Sequence, residues 1–275
     1  MVPTMTSAQD LACALCHAPQ VKALAAGPHG QIGGEPAHAC ASCHGQVGAH
    51  AQNPMNQAAE HRFGGDGGLD AAAASAVCLR CHEGARSLMH WDAGRHQQAQ
   101  VGCTDCHSVH SAALLRSHGQ ALVEASRLDP SISTWVSTSR RLEAESCVRC
   151  HQSIRVQMSK FSHHPIMEGK LACTDCHNPH GSLSAKLLKA DDSHALCLDC
   201  HANKRGPFMW PHPPVEENCL SCHSPHGSNH ERLLSQKMPG LCQDCHDGSR
   251  HPGSFYGADQ GFAGGQNTRL VGRSC

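Results

Sequence analysis

The sequence predicts a chain of short α-helices and irregular loops, with little or no β-sheet. Three observations predict it. The word C-x-x-C-H occurs nine times in 275 residues and takes up eighteen of the nineteen cysteines. Aromatic residues make up only 3% of the chain, as five Phe, three Trp and one Tyr, too few large apolar side chains for a conventional core of this length. Gly (26) and Pro (15) are frequent and punctuate the chain with turns. Because interiors must be close packed, bound macrocycles are expected to supply the core, stacked inside a thin shell of polypeptide.

The paired cysteines are Cys13 and Cys16, Cys40 and Cys43, Cys78 and Cys81, Cys103 and Cys106, Cys147 and Cys150, Cys173 and Cys176, Cys197 and Cys200, Cys219 and Cys222, and Cys242 and Cys245. Two sulfurs three positions apart reach the two vinyl groups of one porphyrin, and the histidine directly after them swings onto the iron. His17, His44, His82, His107, His151, His177, His201, His223 and His246 are therefore the expected proximal ligands. Zinc arrays and disulfide frameworks also use C-x-x-C pairs, but neither requires a histidine after the second cysteine. Histidine fills 25 of 275 positions, so nine hits in nine words are far outside chance. The fold class is a multihaem cytochrome c carrying nine complete sites of covalent haem c. An apoprotein of this kind is expected to be largely unfolded, because binding the cofactor and folding are one event.

The formal net charge of −1 points to no nucleic acid partner and no acidic membrane surface. Haem propionates make the holoprotein more acidic, which suits cationic patches on redox partners. No hydrophobic run approaches a membrane span, and the start MVPTMTSAQD has neither a basic nor an apolar signal region. Haem is joined to cysteines outside the bacterial cytoplasmic membrane, so a removed or missing export signal is expected. At the other end Cys275 reads as the first letter of a tenth, interrupted word, with a free or lipid-modified cysteine as the alternative.

Spacing between first cysteines runs from 22 to 44 residues, and a two-haem repeat fits it best. The repeats are 1–77, 78–146, 147–196, 197–241 and an incomplete 242–275. Together they form one elongated multihaem domain, with a soft boundary or a surface excursion within 111–146. In each repeat one histidine follows the first word, and in the four complete repeats another follows the second. This gives His29, His50, His96, His110, His163, His180, His212, His226 and His251 as candidate distal ligands. CHSVH, CHNPH and CHSPH set a histidine three residues after the proximal one. HHPI at 163–166 and HPPV at 212–215 share a second pattern, whose register favours His163 over His164. The surplus is His38, His61, His90, His118, His164, His194 and His230, of which His38, His61, His118 and His230 lie near enough to chosen ligands to replace them. The eight Met residues show no regular offset and read as packing against porphyrin edges rather than as ligands.

Short helical turns are expected to carry the words, as in LEAESCVRCH at 142–151, with HG, PHG and GG marking turns and 253–267 a loop. A reductase needs an iron with an open position. Here every word ends in histidine and distal histidines suffice for every iron, which favours an electron wire without substrate chemistry. A multihaem reductase with one open haem is the other reading, should an assigned histidine point elsewhere. Haem storage or a structural filament is weaker still, since a filament would donate a histidine to a neighbouring subunit.

FSHHPIMEGKLACTDCHNPHGS, CLDCHANKRGPFMWPHPPVEENCLSCHSPHGSNHERLL, LCQDCHDGSRHPGS and CHGQVGAH resemble the periplasmic decahaem cytochromes of the MtrA/DmsE type, including the PioA- and MtoA-like proteins of phototrophs and iron oxidisers. The resemblance covers nearly the whole chain. It implies ten bis-histidine haems in a staggered line, inserted into an outer-membrane β-barrel porin of the MtrB/PioB type. It also implies a periplasmic, outer-membrane-associated location, and electrons passed between periplasmic carriers and an extracellular cytochrome, a metal oxide or a terminal reductase. A soluble periplasmic shuttle to a terminal reductase is the alternative. This chain departs from the family in its absent signal and its interrupted tenth word, both of which look like fragment ends.

Overall fold

A computed structural model describes residues 7–25, 27–32, 36–110 and 132–246. His118, His251 and Cys275 lie outside the described residues, as does the side chain of His38. The chain divides into two compact units, Met1–Ser139 with His177–Lys189, and Arg140–Cys176 with Ala190–Cys275. The first division falls inside the interval 111–146; the transfer of 177–189 to the first unit has no counterpart in the sequence pattern.

In the first unit, α1 (Ser7–Ala25) carries the first word and loses helical geometry at His17, with Pro19 two residues further on. A 3-10 turn, Pro28–Gln31, then presents His29. Gly30 is needed there because a Cβ would stand 2.7 Å from the Leu24 carbonyl oxygen. Next come α2 (Pro36–His44) with the second word and α3 (Gly48–Gln52) with His50. The third word rides on α4 (Ala71–His82), whose start is capped by the Asp70 carboxylate accepting from Ala73 N–H at 2.7 Å. Then follow α5 (Arg95–Gln98), which holds His96, and the single turn α6 (Cys103–Cys106).

The helix α7 (Ile132–Val148) reaches the second unit from Arg140 onward and brings in the fifth word, followed by α8 (Gln152–Met158) and the single turn α9 (Cys173–Cys176). Asp192 caps α10 (Ser193–Cys200) by accepting from Ala195 N–H at 2.7 Å; α11 (Pro213–Glu217) and α12 (Gly240–Gln243) complete the unit as described. Its core is small. Ala144, Val148, Met158 and Ile166 are buried, flanked by Ile154, Met167, Leu171 and Cys173. Each large member contributes about 1.5–3 kcal/mol on burial.

No β-strand occurs among the described residues, only isolated bridges such as Ser162 with Ser228 and His223 with Leu234. The expected architecture of short helices and loops is what the described residues adopt. Leu15, Met55, Leu183, Met209 and Trp210 are all more than 80% exposed, so the polypeptide shelters little of its apolar surface by itself. Among the described residues no helix is long and apolar enough to cross a membrane.

Candidate haem sites

One turn of helix brings residues three apart to the same side, which is why C-x-x-C is built on helix ends. The histidine then stands at the point where the helix stops. His107, His151, His201, His223 and His246 each donate their backbone N–H to the first cysteine's carbonyl at 2.8–3.1 Å. His107 (φ −106, ψ 139) and His201 (φ −99, ψ 43) are no longer helical, so their side chains leave the helix surface.

Consecutive words are stitched together by side chains lying just before the earlier word. Ser75, buried in α4, accepts from Cys103 N–H at 3.2 Å. Glu143 in α7 accepts from Thr174 N–H at 2.9 Å and from the Thr174 hydroxyl at 3.0 Å. The Ser193 hydroxyl donates to Asn218 Oδ1 at 3.0 Å, and Asn218 Oδ1 also takes Leu220 N–H at 2.9 Å. The Asp of the two CTDCH words closes its own turn, Asp105 accepting from Gly102 N–H at 2.7 Å and Asp175 from Ala172 N–H at 2.9 Å.

This stitching sets first cysteines side by side. Before haem is attached, the Cys173 thiol donates to Cys147, which holds Cys147 down at about 7 and drives Cys173 upward. Burial, reinforced by Cys103, pushes Cys78 up to about 11; burial, reinforced by Cys219, does the same to Cys197.

Six imidazole pairs form across the words. His17 faces His50 with ring centres 6.1 Å apart, His29 faces His82 at 6.0 Å and His44 faces His110 at 6.3 Å. His107 faces His180 at 5.9 Å, His164 faces His201 at 6.3 Å and His212 faces His246 at 6.1 Å. Two imidazole nitrogens each about 2 Å from a shared metal leave their ring centres about 6 Å apart. The residues therefore fit a six-coordinate haem iron. Each pair contains one histidine that follows a C-x-x-C and one that does not.

The tautomers agree with that fit. Carbonyls only accept, so a ring nitrogen facing one carries the proton and leaves the other nitrogen its lone pair. His44 Nδ1 donates to His61 O at 2.9 Å, His177 Nδ1 to Lys186 O at 2.8 Å and His223 Nδ1 to Arg232 O at 2.9 Å. Outside the words, His50 Nδ1 donates to Gln57 O at 2.6 Å, His96 Nδ1 to Pro179 O at 2.8 Å and His164 Nδ1 to Pro225 O at 2.7 Å. Burial holds His110 and His180 below the ordinary histidine value, aided at His180 by the nearby His107 and His96. A neutral ring is what a metal requires. Lys186 and Leu187 (φ 68 and 57), like Arg232 and Leu233 (φ 56 and 59), adopt left-handed backbone that turns the 186 and 232 carbonyls onto His177 and His223.

Of the distal candidates named from the sequence, His29, His50, His110, His180 and His212 stand opposite a word's histidine. His96 and His226 lie in the first and second units, His226 in the turn after the eighth word, and His251 is outside the described residues. His163 has a different place. Its Nδ1 faces Lys160 O at 2.7 Å and its Nε2 faces the Glu168 carboxylate at 3.0 Å, so both nitrogens donate and neither lone pair is free. That contact raises His163 and lowers Glu168 from their ordinary values. The ring opposite His201 is His164, which the repeat register had set among the surplus; the Pro225 carbonyl that selects it is 61 residues away, invisible to local spacing. His61 donates its Nδ1 to Cys43 O at 3.0 Å while its own carbonyl receives His44, a supporting role that spacing does not reveal.

Among the described residues no three His, Cys, Asp or Glu side chains converge into a metal cage of the zinc kind. Cysteine pairs beside opposed imidazoles define a multihaem c-type cytochrome that binds haem covalently and transfers electrons. Comparison with known proteins agrees: a family described as doubled CXXCH motif matches residues 163–206 and 212–251, and one described as cytochrome c-type protein NrfB-like matches residues 40–119. The chain is 35% identical over 271 residues to the multiheme cytochrome MtrA of Shewanella baltica (strain OS185), an alignment covering 96% of this chain and 74% of that protein. The chain belongs to the MtrA family of multihaem cytochromes.

Proposed function

We propose that this protein is an electron wire without substrate chemistry, carrying haem c at all nine attachment words. It works in the periplasm at the outer membrane, threaded into a β-barrel porin of the MtrB/PioB type. Electrons pass along it between periplasmic cytochromes and an extracellular cytochrome or terminal reductase. The observation that carries this reading is the set of opposed imidazoles at 5.9–6.3 Å, which leaves each such iron no position for a substrate.

The residues divide the work as follows. The eighteen cysteines of the words fix each macrocycle by its edge. The nine following histidines would each hold an iron, and His29, His50, His110, His164, His180 and His212 would hold six of those irons as second ligands, with His96 and His226 for further irons. Bound haem supplies reversible one-electron exchange between ferric and ferrous iron. Two neutral imidazoles suit both states, so the chain need not rearrange as charge passes. Carbonyl partners on Nδ1 fix ring orientation and raise ligand basicity. First cysteines set side by side in consecutive words would hold successive haems near one another, which favours fast transfer.

Low-temperature EPR of the oxidised holoprotein, with haem counted as pyridine haemochrome on the same sample, tests the wire. Nine haems with only low-spin iron is the expected result; a high-spin signal at stoichiometric intensity replaces the wire with a reductase. For the conduit, holoprotein assembled with its barrel in vesicles loaded with reduced methyl viologen should deliver electrons to external ferric citrate. Equal rates with and without the barrel would sink the membrane-crossing role.

A further inference from the structure

Two four-residue turns share one construction. Asn178–Pro179–His180–Gly181 belongs to the first unit and Ser224–Pro225–His226–Gly227 to the second. Gly181 N–H donates to Asn178 O at 3.1 Å, and Gly227 N–H to Ser224 O at 3.2 Å. A turn closed in this way uses its first carbonyl and leaves its second pointing outward with no internal donor. In both turns an imidazole from elsewhere in the same unit fills that second carbonyl, His96 at Pro179 and His164 at Pro225.

The other letters of the turn hold it still. The Asn178 amide donates to Gly181 O at 2.6 Å, and the Ser224 hydroxyl to Gly227 O at 3.0 Å. A Cβ on Gly181 would overlap the His90 carbonyl, and one on Gly227 the Gln157 carbonyl, so another stretch of backbone is pressed against each turn. Proline in second place presets the dihedral. A distal imidazole needs only some carbonyl for its Nδ1. In both units the one it receives belongs to the residue immediately before another candidate axial histidine, His180 or His226.

We propose that these two turns are redox couplers, each linking the axial imidazole of one haem to that of a second through a proline carbonyl. The inference rests on the ligation reading above. The link runs from His96 Nδ1–H to Pro179 O, through the Pro179–His180 peptide, and on from His180 N–H to Asn178 Oδ1 at 3.2 Å. Hydrogen bonds in series polarise one another. An Nδ1–H is a stronger donor when its ring sits on ferric iron than on ferrous iron, so the grip on the proline carbonyl slackens when that iron gains an electron. The turn carrying the second imidazole feels the change, and the coupling is reciprocal.

The test is His164→Met in the holoprotein, which keeps a sixth ligand but removes the Nδ1–H, read by EPR g values and spin count. Coupling predicts that signals worth two irons change: one takes histidine–methionine character and a second, still bis-histidine, moves. Change in one iron alone overturns the coupler and leaves the ligation reading standing. No change at all overturns both, since His164 would then not be a ligand. Gly227→Ala, with both imidazoles intact, should likewise move two low-spin signals without producing high-spin iron; a shift confined to one signal counts against the coupler.

Discussion

The imidazole of His164 faces that of His201 at 6.3 Å between ring centres, while the adjacent His163 gives one ring nitrogen to Lys160 O and the other to the Glu168 carboxylate. One histidine of the pair is shaped to ligate and the other to brace. His164→Ala should therefore open one iron and produce one equivalent of high-spin haem in the EPR spectrum. His163→Ala should leave every iron low-spin. High-spin iron in the second variant would reverse the assignment.

The facing of histidines from distant words makes a prediction about double variants. His180 lies three residues after His177 but faces His107 at 5.9 Å. His107→Ala combined with His180→Ala should yield one equivalent of high-spin haem, because both losses fall on one iron. His177→Ala with His180→Ala should yield two. Spin counting of the two preparations decides, and the opposite pattern would mean that each word keeps its own nearest histidine.

Glu143 takes both the backbone N–H and the hydroxyl of Thr174, in the single turn that carries the sixth word. Glu143→Ala leaves these donors without their acceptor and should lower unfolding free energy by about 1–3 kcal/mol. Guanidinium unfolding followed by Soret absorbance measures it, with His201 and its neighbours still haem-loaded. Thr174→Val should cost less, since one of the two bonds survives.

The buried apolar side chains among the described residues are few, and only Met158 and Val148 of the larger ones are fully buried. Chain produced without haem attachment should therefore show little helical far-UV circular dichroism and be digested rapidly by trypsin, whereas holoprotein resists. Native-like helicity in the haem-free chain would show that the polypeptide folds without its macrocycles.

The attachment words were legible because their chemistry is local: two sulfurs and an imidazole within one helical turn, whatever surrounds them. The loop and helix character was legible for a related reason, the shortage of residues able to build anything else. What each distal histidine faces was not. His29 meets His82 and His110 meets His44, contacts between words two apart that no spacing rule within a repeat encodes. The choice of His164 over His163 depends on Pro225 and Glu168, one remote and the other unremarkable in sequence. Likewise the left-handed backbone at Lys186 and Arg232 falls on residues that do not favour it, and only the carbonyls it aims at His177 and His223 explain it.

The facing of imidazoles across non-adjacent words also constrains how such a chain changes length over evolutionary time. Excising one repeat would remove anchors for the haems retained in it and, in the same stroke, bereave irons lying upstream and downstream. His110 departs with 78–146, and His44 then loses the imidazole opposite it. A protein knitted in this manner gains or loses modules only where the seam can be rejoined with matching partners, so insertions and deletions should gather in the intervals between words and avoid the register of the words themselves.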